Sequence, residues 1–312
     1  MPSEPAASPS AMQSDNLRGA SIMVASMALF VASDACLKAL AGHATLFEVA
    51  FWRGIGVTAA FAGWAALSGA FAAPIGRADW GWILARGAVE ALVAWLFITA
   101  LFTLPLANAT AILQATPLLM TAAGAVLLGE RVGARRWGAV LIGLAGVMII
   151  VRPGLAGFDA NSLWALGAVV GVALRDLTTR RIGRAVPMGA VVTVTSACVT
   201  LFGALFGGWR MPAMEAASWW ALAGSGVFIA LAYVAAVGAM RFGDASFTAP
   251  FRYAGVIWAG IAGFAFFGEV PDGPTALGAA VVVGAGLYAL GRARGAPSGP
   301  ARAPLKRRGG GP

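Results

Sequence analysis

The stretch L-L-G-E-R-V at 127–132 recurs as F-F-G-E-V-P at 266–271, and this repetition decides the fold of the chain. Each copy closes an apolar segment with a glutamate, Glu130 in the first and Glu269 in the second. The match continues beyond these motifs in paired glycines, Gly138 with Gly278 and Gly146 with Gly286. A duplication of this length predicts that the chain consists of two similar halves.

The beginnings of the two halves also correspond, because S-D-A-C-L-K at 33–38 aligns with R-D-L-T-T-R at 175–180. This alignment matches two pairs of charged residues, Asp34 with Asp176 and Lys38 with Arg180. If each half contains five membrane spans, an odd number, the second half must lie upside down relative to the first. Such inverted repeats are typical of secondary transporters.

The composition requires a membrane as the solvent for most of the chain. Of its 312 residues, 59% are hydrophobic and 11% are charged, and the mean hydropathy is +0.80. A span needs about 20 apolar residues, so ten spans fit with short connections. The sequence therefore predicts an all-α membrane protein with ten transmembrane helices, at 19–40, 46–71, 80–102, 107–128, 133–151, 163–179, 188–206, 217–240, 245–267 and 274–290.

The basic residues predict the orientation of these spans. If the amino terminus is cytoplasmic, only two of the 22 lysines and arginines, Arg152 and Arg210, fall on the outer side. Such an excess of positive charge marks cytoplasmic loops. We therefore expect a multi-pass protein of the cell inner membrane with both termini in the cytoplasm. The net charge of +9 comes from basic residues that mark the cytoplasmic side of the membrane. We therefore predict no nucleic-acid partner.

The segments at 106–132 and 137–153 and, more weakly, the segment at 245–269 resemble the signature of the EamA branch of the drug/metabolite transporter superfamily. This resemblance implies ten helices and a central cavity formed by both halves. Within the family, R-D-L-T-T-R-R at 175–181 and S-D-A-C-L-K at 33–38 resemble members that handle riboflavin or S-adenosylmethionine. The expected division is a disordered amino terminus, two EamA-like repeats and a disordered basic tail, at 1–16, 17–152, 153–292 and 293–312.

Charged and polar residues inside the spans are the candidate functional groups, since a charge at the centre of a bilayer costs about 2.5–3.5 kcal/mol on insertion scales. We predict that the substrate is bound by Arg53, Glu90, Gln114, Arg175, Asp176, Tyr233, Arg252, Tyr253 and Trp258. A second set, which forms ion pairs or couples transport to protons, consists of Asp34, Lys38, Arg86 and Glu90.

The spacing of these residues leaves two interpretations open. Asp34 and Lys38 are four residues apart, as are Arg86 and Glu90, so each pair shares a helix face and forms a structural ion pair or contacts the substrate. Arg53 binds a carbonyl or anionic group of the substrate, or joins two helices through Glu90. The aromatic side chains of Tyr233, Tyr253 and Trp258 stack on a flat ring, or simply pack.

A polar stripe on the fourth span is formed by Thr110, Gln114, Pro117 and Thr121. The proline permits a bend, and bent helices often line the cavity of a transporter. The alternative is helix packing through small polar residues.

The predicted function is secondary transport of a small organic metabolite, such as riboflavin or S-adenosylmethionine, by alternating access. Export of amino acids, drugs or other metabolites is the alternative, and a channel, a membrane enzyme or a non-transporting protein fits less well. H-E-x-x-H, G-x-S-x-G and phosphate-binding glycine loops are missing from the sequence. We therefore predict no enzyme activity and no cofactor. We also predict no metal site, because Cys36, Cys198 and His43 lie in separate segments.

Overall fold

A computed structural model describes residues 9–127, 129, 132–154, 158–183, 185–242 and 245–294. Within these ranges the chain is helical and contains no strand. The helices are α1 (Pro9–Lys38), α2 (Leu46–Leu67), α3 (Arg77–Thr103), α4 (Leu106–Leu113), α5 (Thr116–Leu127), α6 (Ala134–Val151), α7 (Ser162–Thr179), α8 (Met188–Leu205), α9 (Ala216–Phe242), α10 (Ala245–Thr248), α11 (Ala254–Phe267) and α12 (Gly273–Arg294), with a 3₁₀ helix (Ala249–Tyr253) between α10 and α11.

Seven of the described helical segments are long and apolar enough to cross a membrane. They are Ser14–Lys38, Arg77–Thr103, Leu106–Leu127, Ala134–Val151, Met188–Leu205, Ala216–Met240 and Ala249–Phe267. Two other helices carry charges in their interiors, Arg53 in α2 and Arg175 in α7. The carboxyl-terminal helix contributes a shorter apolar stretch. The chain is therefore a multi-pass, all-helical membrane protein.

The fourth predicted span is broken in two, between Leu113 and Thr116. Pro117 explains the break, because a proline has no N–H to offer the carbonyl four residues earlier. That carbonyl belongs to Leu113, and the Thr116 hydroxyl donates to it at 2.6 Å instead. The stripe predicted from one continuous helix is thus divided between α4 and α5.

The ninth predicted span is also interrupted, which the expectation of a single helix over 245–267 missed. Its first turn, α10, leads into the 3₁₀ helix that contains Pro250, and α11 begins only at Ala254. The two broken spans occupy equivalent places in the repeat, since the sequence alignment sets Tyr253 opposite Gln114. Each break falls beside a proline.

The predicted ends of the chain need one correction. Helix α1 begins at Pro9, so residues 9–16 are helical and not disordered as expected. Residues 1–8, the glutamate of the first repeat motif, Glu130, and the tail from 295 onward lie outside the described residues. The predicted tail boundary falls within α12, which continues to Arg294.

The most extensive helix packing joins helices from different halves of the chain. Helix α1 packs along α9, α2 along α8, α3 along α7 and α6 along α12. The main buried core includes Leu37, Leu101, Leu104, Leu106 and Ile112. Because these contacts cross between the halves, residues distant in sequence are brought to the centre of the bundle.

Candidate functional site

A cavity of about 130 Å³ lies between α2, α3, α8 and α9. Two of these helices come from each half of the chain. Its walls are largely apolar, and the polar side chains that line it are Arg53, Arg86, Glu90, Thr195, Ser196 and Tyr233. Three of these six, Arg53, Glu90 and Tyr233, belong to the predicted substrate site, and a fourth, Arg86, belongs to the predicted ion-pair set.

Small residues allow the helices around the cavity to approach closely. A Cβ atom on Gly54 of α2 would collide with Thr200 of α8, and one on Gly87 of α3 would collide with Cys198. Close backbone approach through glycine is a common basis of helix association in membranes. The glycines thus hold α2 and α3 against α8 at the cavity wall.

Glu90 is at the centre of an ion network beside the cavity. Its Oε1 atom lies 3.4 Å from Nη1 of Arg175, and its Oε2 atom lies 3.9 Å from Nη2 of Arg86. Arg175 in turn contacts Oδ1 of Asp176 through Nη2 at 2.9 Å. The network therefore joins α3 to α7 and balances two guanidinium groups with two carboxylates.

Arg86 is fixed by hydroxyl groups as well as by Glu90. Its Nε donates to Oγ1 of Thr179 at 2.9 Å, and its Nη1 donates to Oγ1 of Thr195. Only 8% of the residue is exposed. A guanidinium with this many fixed partners is positioned rigidly, which favours a structural role for Arg86.

Arg53 and Glu90 each leave one buried polar atom without a hydrogen bond. The Nη2 atom of Arg53 donates to Ser33 Oγ at 2.9 Å, but its Nε has no hydrogen-bond partner. The Oε2 atom of Glu90 also accepts no hydrogen bond. Leaving such groups unsatisfied costs about 1–3 kcal/mol each, and more when they are charged. The cavity therefore has an unused donor and an unused acceptor among its lining residues.

Tyr233 supplies the aromatic surface of the cavity. Its ring lies edge-on to Phe30 at a centroid distance of 5.3 Å and to Phe61 at 5.8 Å. Phe61 lines the cavity too. The aromatic set predicted from sequence is only partly assembled, because Tyr253 and Trp258 do not line this cavity.

The remaining predicted residues meet where the two broken spans cross. Gln114 Nε2 donates to the backbone carbonyl of Arg252 at 3.0 Å. Tyr253 lines a separate apolar groove of about 660 Å³ between the 3₁₀ helix, α11 and α12. Trp258 packs against the core. The structure thus divides the predicted substrate set between a charged cavity and a helix crossing.

Lys38 has a different partner from the one predicted. Its Nζ pairs with Oε1 of Glu269 at 2.9 Å and not with Asp34, although Asp34 is its neighbour on the helix. Asp34 interacts electrostatically with Arg53 instead. Of the two interpretations left open, the Asp34–Lys38 ion pair is therefore not formed, and Lys38 connects α1 to the segment that follows α11.

Sequence reasoning missed three residues that line the cavity or form an ion pair. Thr195 and Ser196 line the cavity, and the only signal for them was a hydroxyl inside an apolar span. Glu269 was noted as part of the repeat without a role. Among the described residues, no group of three or more His, Cys, Asp or Glu side chains could hold a metal ion.

Comparison with known proteins agrees with a transport function. The EamA-like transporter family matches residues 17–152 and 161–290. Together with the helical fold, this match defines a membrane transporter of small metabolites. The chain belongs to the EamA-like transporter family.

Two curated relatives carry more specific names. The riboflavin transporter of Vibrio cholerae is 35% identical over 66% of this chain and 70% of its own. The S-adenosylmethionine uptake transporter of Rickettsia prowazekii is 26% identical over 64% of this chain and 67% of its own. A protein crystal structure at 22% identity shares the fold with a TM-score of 0.61 and covers 90% of this chain and 98% of that chain.

Proposed function

We propose that the protein is a secondary transporter that moves a small, ring-bearing organic metabolite across the inner membrane by alternating access. The observation that carries this proposal is the cavity between α2, α3, α8 and α9, which is lined by charged side chains from within the membrane. A charged residue at this depth has a high free energy unless it faces a residue of opposite charge or a site that uses its charge.

The proposed architecture is ten transmembrane helices in two inverted repeats, at 17–152 and 153–292, with both termini cytoplasmic. The helix packing supports it. In the repeat, α1 corresponds to α7 and α3 corresponds to α9, so the contact of α1 with α9 has its counterpart in the contact of α7 with α3. Such reciprocal packing is expected of two halves related by a pseudo-two-fold axis.

The proposed substrate is a flat heteroaromatic compound with an adjacent hydrogen-bond donor and acceptor on its ring. The buried Nε of Arg53 has no acceptor, the buried Oε2 of Glu90 accepts no hydrogen bond, and both would become available to a substrate when the helices separate, while Tyr233 offers an aromatic surface. Riboflavin and the adenine ring of S-adenosylmethionine both have such an edge. We rank riboflavin first, because the relative with that name is the more similar of the two.

The size of the cavity supports a mechanism in which the helices move. A volume of about 130 Å³ is below the roughly 300–1,000 Å³ of typical small-molecule sites. Substrate binding therefore requires the helices to separate. We further propose that Glu90 on α3 and Asp34 on α1 are the groups through which protons couple to transport.

The test is exchange in proteoliposomes that contain the purified protein. Labelled riboflavin should accumulate faster in vesicles preloaded with unlabelled riboflavin than in empty vesicles, because a carrier exchanges substrate and a channel does not. Equal accumulation in both would refute the carrier mechanism. Exchange of S-adenosylmethionine without exchange of riboflavin would reverse the ranking of substrates.

Direction and orientation are tested in cells. Growth rescue of riboflavin-requiring bacteria assigns uptake, whereas vesicle exchange without rescue assigns export. Reporter fusions at the two ends of the chain should both report a cytoplasmic location. Reporters on different sides would refute the ten-span arrangement.

A further inference from the structure

Three separate parts of the fold meet at one end of the bundle, around Lys38 and Glu269. Lys38 is the last residue of α1, and Glu269 follows the end of α11 by two residues. Their side chains are 2.9 Å apart and only 12% and 20% exposed. The other oxygen of Glu269 accepts a hydrogen bond from the backbone N–H of Leu106, the first residue of α4, at 2.8 Å. One ion pair thus joins α1, α4 and α11.

Helix ends strengthen this pair. Glu269 accepts from an N–H at the amino terminus of α4, where the helix leaves N–H groups free and favours negative charge. Lys38 donates to the carbonyls of Leu101 and Leu104 at the carboxyl end of α3, where positive charge is favoured. Each side chain therefore has its charge matched by its partner and by a helix end.

The pair restrains the two spans that are built to bend. Helix α4 leads into the break before Pro117, and α11 follows the 3₁₀ break that contains Pro250. Both helices are tied at the same point to α1, which packs along α9 of the cavity wall. Breaking the Lys38–Glu269 ion pair would therefore remove one connection of both bent spans to α1.

We propose that the Lys38–Glu269 pair is a latch that closes this end of the transport path and opens once in each cycle. The proposal rests on the transport function proposed above. It assigns to Lys38 a gating role instead of a place in the substrate site. In the closed arrangement that the structure holds, the latch keeps α4 and α11 against α1.

The repeat gives each residue of this latch a counterpart in the sequence. Lys38 aligns with Arg180, and Glu269 aligns with Glu130. In two inverted halves, equivalent pairs lie at opposite ends of the bundle. The alignment therefore gives Lys38 and Glu269 equivalent positions in the sequence of the other half, and the proposal concerns the Lys38–Glu269 end.

A second ion pair at the same end provides a matched control. Arg152, which follows α6, contacts Asp272, which precedes α12, and Thr275 also binds both of them. These hydrogen bonds from Arg152 and Thr275 lower the pKa of Asp272. The pair joins α6 to α12, and neither of these helices lines the charged cavity. It should stabilise the fold without gating.

The experiment measures access to the cavity and needs no knowledge of the substrate. Val199 lines the cavity on α8, so Val199→Cys in a full-length chain with Cys36→Ala and Cys198→Ala provides a single reporter thiol. A membrane-impermeant maleimide is added from the side of the Lys38–Glu269 end. Glu269→Gln should raise the labelling rate roughly tenfold, the scale of one charge-assisted hydrogen bond. Asp272→Asn should leave the rate within about twofold, since its pair is remote from the cavity.

The double variant Lys38→Glu with Glu269→Lys distinguishes gating from a folding defect. Restoring the opposite charges should return the labelling rate toward that of the parent chain, although the helix ends then disfavour both charges. Equal labelling of the Glu269→Gln variant and the parent, at matched melting temperatures, would overturn the latch. If labelling responds as expected but riboflavin is not exchanged, the proposed substrate is wrong and the latch stands.

Discussion

The charged cavity and the crossing of the two broken spans differ in how they use polar side chains inside the membrane. At the cavity, the guanidinium of Arg53 and the carboxylate of Glu90 each keep one buried atom without a hydrogen bond. At the crossing, Gln114 Nε2 donates to the backbone carbonyl of Arg252, and the buried atoms without hydrogen bonds belong to the neutral hydroxyls of Thr110 and Tyr253. The two regions therefore differ in the charge of their unsatisfied groups, and an unsatisfied charged group costs more free energy than a neutral one. Substitutions in the two regions should therefore have very different effects.

The largest effect is expected for Arg53→Ala. The variant removes the unused donor, and the loss of a hydrogen bond to a charged group costs about 1.5–3 kcal/mol, or roughly 10- to 150-fold in transport efficiency. The measurement is the initial rate of riboflavin exchange in proteoliposomes over a range of concentrations. A loss smaller than that of Gln114→Ala would erase the distinction between the two regions.

Glu90→Gln is expected to have the next largest effect, and a specific one. The glutamine keeps the shape of the side chain but cannot take up or release a proton. We expect uptake to become independent of pH and slower by about tenfold, since one charge-assisted hydrogen bond is weakened. Uptake is measured across a pH series in vesicles, with Asp272→Asn as the control. A pH profile unchanged from the parent would exclude Glu90 as the coupling group.

Near the crossing, Gly286→Ala should affect stability and not transport. Gly286 of α12 lies directly against the Tyr253 ring, so a methyl group has no room there. Overpacking of this kind costs about 1–3 kcal/mol. We expect a lower melting temperature in detergent, with normal exchange per folded molecule. Gly284→Ala is the matched control, because nothing lies within 4 Å of its added Cβ.

Gln114→Ala should have the smallest effect. Hydrogen bonds between membrane helices contribute about 0.6 kcal/mol on average, so a small decrease in melting temperature and a less than threefold change in exchange are expected. Both are measured on the same preparation as Arg53→Ala. A loss of exchange comparable to that of Arg53→Ala would place the substrate at the crossing.

Much of the fold follows from the sequence because membrane spans have a strong and local signal. Apolar length predicted the helices, and Pro117 predicted a bend that the structure shows as a break after Leu113. The break at Pro250 was missed, since hydropathy does not distinguish a 3₁₀ turn from an α-helix. The fold therefore follows from local patterns except where backbone geometry changes within an apolar run.

The site was predictable in its residue types and not in its assembly. Charge within an apolar span singled out Arg53 and Glu90, but it singled out Arg252 equally. Only the packing of α2, α3, α8 and α9 shows that Arg53 and Glu90 line one cavity and that Arg252 does not. Lys38 was paired with the wrong carboxylate because spacing on one helix reports local neighbours, whereas Glu269 is distant in sequence.

The hydroxyl of Thr116 gives the break in the fourth span one further property. Since it donates to the Leu113 carbonyl that Pro117 leaves free, that oxygen needs no water molecule as a partner. Backbone groups that a break frees within a membrane must find partners inside the protein, and Ser or Thr side chains can supply them. The side chain of one threonine therefore makes an interrupted backbone compatible with an apolar surrounding.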